Sequence, residues 1–135
     1  MEIISNKETA NCSKEELFVF LSDMSNYKQL MPDQVTDWSA DSNECKYVLN
    51  GMAQIGMMIS EKKPNEKIVI NSHGKVPFTF KLDVDITGSD AGTSAVQLVF
   101  NGDVNMFMKP MLEKPLTNFF NFIVKKINQK FTSIN

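Results

Sequence analysis

Histidine occurs once in this chain, at residue 73, cysteine twice, at 12 and 45, and tryptophan once, at 38. Each scarcity removes a class of chemistry. Hydrolytic triads and tetrahedral zinc sites draw on histidine or on clustered thiolates, and one histidine with two distant cysteines assembles neither. The glycines at 51, 56, 74, 88, 92 and 102 match neither the Walker nor the dinucleotide spacing, so no glycine-rich loop cradles a phosphate and no cofactor is expected. Basic charge is also short. Lys and Arg number 14 against 16 Asp and Glu, for a net charge of -2 and a pI near 5.4, which leaves no electrostatic footprint for nucleic acid. The one basic cluster, Lys125, Lys126 and Lys130, reads as a solvated helix end.

Long apolar runs are missing too. None approaches the ~18 residues that span a bilayer, and Met1 to Asn6 lack the basic start and apolar core of an export signal. Cys12 and Cys45 fit free buried thiols in a reducing compartment. The expectation is a cytoplasmic protein with no transmembrane segment, for which transient membrane contact stays open, as does the oligomeric state.

What the chain does have is ten Phe and nine Met in 135 residues, a length that fits one domain over 1–135. Met adapts to irregular space, so this richness suits either a deformable cavity wall or an ordinary core.

The last fifth of the chain carries the strongest pattern. Leu112, Leu116, Phe119, Phe120, Ile123, Val124, Ile127 and Phe131 recur at the spacing of one broad apolar helical face, with Lys109, Glu113, Asn118, Asn121, Lys125 and Asn128 opposite. The predicted helix runs over 105–131. Pro110 falls near its first turn, where a missing amide costs little, whereas Pro115 is deep enough to kink the helix or delay its start. Together with Met106, Phe107, Met108 and Met111, the two prolines suggest a mobile mouth.

Ahead of it, the period is two. Residues 2–12 read as a first strand, with Ala10 and Cys12 inward and Ile4 on the same side. Ser13-Lys14-Glu15-Glu16 forms a capping box, with Cys12 and Leu17 as its hydrophobic staple, and opens a short helix broken near Asp23 to Asn26. A second helical piece, Tyr27 to Met31, stops before Pro32. Strands follow over 35–40 and 44–49, then one carrying Ala53, Ile55, Met57 and Ile59 ahead of the Pro64-Asn65-Glu66-Lys67 turn, then 68–73, 78–86 and 94–104. At Asn50-Gly51 a two-residue turn would put Leu49 on the face of Met52 and Gln54, against the apolar set Ala53, Ile55, Met57 and Ile59. Burial fixes register more firmly than a dipeptide preference, so a longer turn or a bulge is expected there. The Gly88–Gly92 stretch reads as the final turn. Phe78, Phe80, Leu82, Val84 and Ile86 alternate cleanly with polar residues, as do Val96, Leu98 and Phe100. A sheet covered on one side reads this way.

This order of strand, two short helices, six strands and a long C-terminal helix resembles the START-like superfamily, also called SRPBCC. The likeness includes Ser13 to Leu21 after a first strand, the Leu49-Asn50-Gly51 corner, Glu61-Lys62-Lys63-Pro64 at a strand end, and Gly102-Asp103-Val104 leading into the helix. The resemblance implies an α+β helix-grip fold, a seven-stranded curved antiparallel sheet around the C-terminal helix, with an apolar cavity between them. Members mostly bind lipids, sterols, quinones or polyketides; some catalyse cyclisation or dehydration, and others bind protein.

On that reading the partner is a small hydrophobic ligand, and the lining is expected from Tyr47, Met57, Ile59, Phe78, Phe80, Leu82, Leu98, Phe100, Met108, Met111, Phe119 and Ile123. Binding without covalent chemistry is the expected activity. A cyclase or dehydratase using Tyr47 or His73 for proton transfer is the first alternative, and an interaction module using the exposed sheet face or the Met-rich mouth is the second. His73 shares parity with Val69 and Asn71, opposite Ile68 and Ile70, and is expected at the surface. Asp83, Asp85 and Asp103 are expected on the solvent face as solubilising charge.

Overall fold

Hairpin-linked strands with one wet face should pair antiparallel, and every strand pair in the computed structural model does so. The structure describes residues 1–51, 53–90 and 92–132. Strands β1 (Glu2–Ile4) and β2 (Glu8–Ala10) precede helix α1 (Lys14–Leu21) and a 3-10 helix (Met24–Leu30). Then come β3 (Val35–Ala40), β4 (Glu44–Leu49), β5 (Ala53–Lys63), β6 (Lys67–Ser72), β7 (Phe80–Asp90), β8 (Thr93–Gly102) and the long helix α2 (Lys109–Lys130). The sheet order is β1-β8-β7-β6-β5-β4-β3, with β2 also paired to β8. The architecture is an α+β helix-grip fold.

The sheet has eight strands rather than seven because the first strand breaks in two. Ser5 causes the break. It is buried, its hydroxyl accepts the Leu98 amide at 2.9 Å, and its carbonyl accepts Gln97 Nε2 at 3.0 Å. Facing flips across it, so that Ile3 and Ala10 are buried while Ile4 is 55% exposed, contrary to the expected shared face.

The expected Ser13 cap forms, with the Glu16 amide donating to Ser13 Oγ at 3.1 Å and both staple residues, Cys12 and Leu17, buried. The 3-10 helix has its own cap, Asp23, whose carboxylate accepts the Ser25 amide at 3.0 Å. Leu17, Leu21, Met24 and Leu30 from these two helices are fully buried in one core with Ile68, Ile70, Val84 and Val96 of the sheet. Such a side chain contributes about 1.5–3 kcal/mol when fully removed from water.

At the β4–β5 corner Leu49 pairs with Ala53, Tyr47 with Ile55 and Cys45 with Met57. The loop therefore holds three residues, which keeps both apolar sets on one face. Asn50 and Gly51 take φ of 56° and 66°, a left-handed turn that Gly and Asn tolerate. Met52, part of the register argument, lies outside the described residues. The β7–β8 turn is tighter than expected: Asp90 pairs with Thr93, and a register shift between Thr87 and Asp90 absorbs the mismatch. Ala91 lies outside the described residues.

Helix α2 starts at Lys109 rather than Asn105. Asn105 Oδ1 instead accepts the amides of Phe107 and Met108, both at 3.0 Å, forming a side-chain-stabilised turn ahead of the helix. Pro110 sits in the first turn, and Pro115 is carried inside the helix rather than delaying its start. Phe120, Ile123, Val124 and Ile127 form the buried face. Two asparagines on the supposed polar side clamp the helix to the broken first strand: Asn121 Oδ1 accepts the Asn6 amide at 2.8 Å, and Asn128 Nδ2 donates to the Thr9 carbonyl at 2.9 Å.

Asp83 and Asp85 lie opposite the buried Leu82, Val84 and Ile86, with the Lys67 ammonium 3.7 Å and 3.5 Å from their carboxylates. Asp103 is exposed. Asp83 and Asp85 are thus on the face of the sheet away from the core.

Candidate functional site

The register that sends Leu49 and Ala53 to the same face also sets them against the first half of α2. Between that corner and the helix runs a groove of about 750 Å³. Pro32, Leu49 and Ala53 form one wall, and Leu112, Pro115, Leu116, Phe119 and Phe122 the other. Asp33, Gln34, Asn50, Asn118 and Lys126 complete the lining with polar groups, one charge of each sign among them. Two hydrogen bonds hold the loop segments that carry part of this lining, from the Asn50 amide to the Gln34 carbonyl at 2.9 Å and from the Val35 amide to the Pro32 carbonyl at 3.0 Å. Apolar walls with a few polar groups at the edge are how small-molecule pockets are built, and the volume lies within their usual range of roughly 300–1,000 Å³.

The twelve residues expected to line the site separate into four groups. Phe119 lines the groove. Phe78, Phe80 and Phe100 form a chain of rings, with centroids 6.2 Å, 5.6 Å and 6.3 Å apart, that continues to Phe120 at 5.0 Å and on to Phe119 at 5.5 Å. These rings fill the space between sheet and helix at that end and reach the groove only through Phe119. Tyr47, Met57, Ile59, Leu82, Leu98 and Ile123 are buried in the core and are not among the residues that line this groove. Met108 and Met111 are on the other side of the boundary, 40% and 72% exposed.

Leu49, Leu112, Leu116 and Phe122 line the groove without having been expected there. Leu49 belongs to the Leu49-Asn50-Gly51 corner and the two leucines of α2 to the helical apolar face, so both signals were present. Phe122 falls outside that face and carried none.

The groups considered for proton transfer are not in the groove. His73 is on the opposite side of the sheet, its Nε2 3.2 Å from the Glu44 carboxylate. Tyr47 is buried, with its ring stacked on Trp38 at 5.5 Å and its hydroxyl 4.0 Å from the Met57 sulfur. Burial raises the pKa of that phenol, with the Cys45 thiol nearby adding to the effect. Among the described residues no group of three His, Cys, Asp or Glu is placed to hold a metal ion.

No family model and no curated protein matches the chain. Solved structures do. A START superfamily protein from Mycobacterium smegmatis superposes with a TM-score of 0.77 at 12% identity, over 96% of each chain. The fold is START-like. A protein from Thermus thermophilus matches the chain with a TM-score of 0.76 at 10% identity, over 97% of both. The di-domain ARO/CYC BexL from the BE-7585A biosynthetic pathway matches with a TM-score of 0.71 at 10% identity, over 96% of this chain and 45% of its own. At such identities the shared property is the START-like fold, and activity has to be argued from the groove.

Proposed function

We propose that the protein binds or carries a small hydrophobic ligand, of lipid, quinone or polyketide-like character, in the groove between α2 and the β4–β5 corner. The observation that carries this reading is the groove itself: apolar side chains from both the β4–β5 corner and the helix, enough volume for a small organic molecule, and a minority of polar groups in the lining. An apolar molecule gains by leaving water for such walls, while Asn50, Asn118 or Lys126 can keep a polar end solvated. The position of Tyr47 and His73 away from these walls favours binding over proton-transfer chemistry.

Native mass spectrometry of the purified protein tests the reading. A co-purifying adduct is expected, and both Phe119→Asp and the groove-filling Ala53→Trp should remove it. An adduct that survives both substitutions, or a wild-type protein that carries none and binds no added menadione, rejects it.

A further inference from the structure

The chain leaves the sheet at Gly102 and passes through Asn105 before α2 begins, and this passage with the first turn of α2 gathers four of the exposed large apolar side chains among the described residues. Met106 is 76% exposed, Phe107 86%, Met108 40% and Met111 72%. The bonds from the Phe107 and Met108 amides to Asn105 Oδ1 hold the turn that presents them. Together these side chains leave on the order of 500 Å² of apolar surface uncovered, at the upper part of the roughly 300–600 Å² range of a monomer's largest patch, which is often functional.

The patch is continuous with the groove. Met108, Met111, Leu112, Pro115, Leu116 and Phe119 fall at helical offsets 0, 3, 4, 7, 8 and 11, one stripe whose first two members are wet and whose last four line the groove. We propose that this tip, Met106 to Met111, docks into the interfacial layer of a lipid bilayer and thereby brings the groove to the membrane surface. The inference stands on the exposed tip and holds whatever occupies the groove.

Two observations select a bilayer over a protein. A stable protein interface buries about 800 Å² on each partner and is nearly half polar, whereas residues Met106 to Met111 present four large apolar side chains and a single lysine. A few apolar side chains projecting from a turn, by contrast, suit reversible insertion at the headgroup boundary. The charges around the tip then select the lipid. Asp103 and Glu113 offset Lys109 and Lys114, so no net positive charge seeks anionic headgroups. Docking is therefore hydrophobic, and zwitterionic lipid suffices.

The test is co-sedimentation with vesicles of phosphatidylcholine, alone or mixed with phosphatidylserine, at low and high salt. Wild-type protein should partition onto both compositions alike and keep its binding in high salt. Phe107→Asp should lower the partition coefficient about tenfold, with the melting temperature unchanged because the side chain is almost wholly in water. Phe119→Asp should keep vesicle binding while losing any native adduct, which separates this inference from the reading of the groove. No binding by the wild type, equal binding by Phe107→Asp, or binding that needs phosphatidylserine and disappears in salt overturns it. So does self-association in sedimentation velocity that Phe107→Asp abolishes, since the tip would then be a contact between copies of this chain.

Discussion

The Tyr47 hydroxyl is 4.0 Å from the Met57 sulfur, a weak acceptor, and has no other hydrogen-bond partner among the described residues. Tyr47 is 3% exposed, so the hydroxyl is shut off from bulk solvent. A buried, poorly matched hydroxyl costs about 1–3 kcal/mol relative to a satisfied one. Tyr47→Phe keeps the ring stacked on Trp38 and should stabilise the fold by about 1 kcal/mol, raising the melting temperature by about 4 °C. Thermal unfolding by circular dichroism checks this. A loss of stability would mean that the hydroxyl has a firmer partner.

Neighbouring phenylalanines on α2 should respond differently to truncation. Phe120 is 5% exposed and its ring lies 5.0 Å from that of Phe100, whereas Phe119 is half-buried on the groove wall. Phe120→Ala should cost about 3–5 kcal/mol, the cavity value for a core aromatic, and Phe119→Ala only about 1 kcal/mol. Urea unfolding of both variants, read alongside binding of the probe menadione, should show stability lost in the first and affinity lost in the second.

Gly56 is pressed against the end of β6. Its carbonyl accepts the His73 amide at 2.8 Å, and a Cβ at this position would overlap the His73 carbonyl oxygen. The obstructing atom is backbone and cannot rotate aside. Gly56→Ala should therefore cost about 3 kcal/mol, the upper end of ordinary overpacking, and amide exchange at Asn71 to His73 should accelerate with it.

Alkaline pH should destabilise the fold. Burial, with the Glu44 carboxylate as a smaller cause, pushes the Cys45 thiol from 9.0 up to about 12. Above pH 9 the unfolded chain releases a proton that the folded chain keeps, so this contribution is complete below pH 9 and falls by about 1.4 kcal/mol per pH unit as pH rises toward 12. Tyr27 and Tyr47, both raised by burial, act in the same direction. Urea midpoints measured from pH 8 to 11 should fall accordingly, and the fall should be shallower in Cys45→Ala.

Regular elements were legible because side-chain direction in them follows a local period. The alternation over Leu82, Val84 and Ile86, and over Val96, Leu98 and Phe100, placed those residues on the buried face, and all six are there. The three-residue β4–β5 loop followed from burial parity in the same way. The break at Ser5 was not legible, because it depends on Gln97 and Leu98, more than 90 residues away. Asn121 and Asn128 looked like solvent-face residues for the same reason, since their partners Asn6 and Thr9 are distant in sequence.

By itself the sequence determined the element order, the inward and outward faces and the START-like layout, because each rests on short-range periodicity and on spacing along the chain. Only the tertiary structure decided where space was left over. A groove is the difference between the separation of two elements and the volume of the side chains between them, and neither quantity is local. Met57 and Ala53 share a strand and a face, and Phe119 and Phe120 are adjacent on a helix. In each pair one residue is packed in the core and the other lines the groove, according to what the opposite element brings against it.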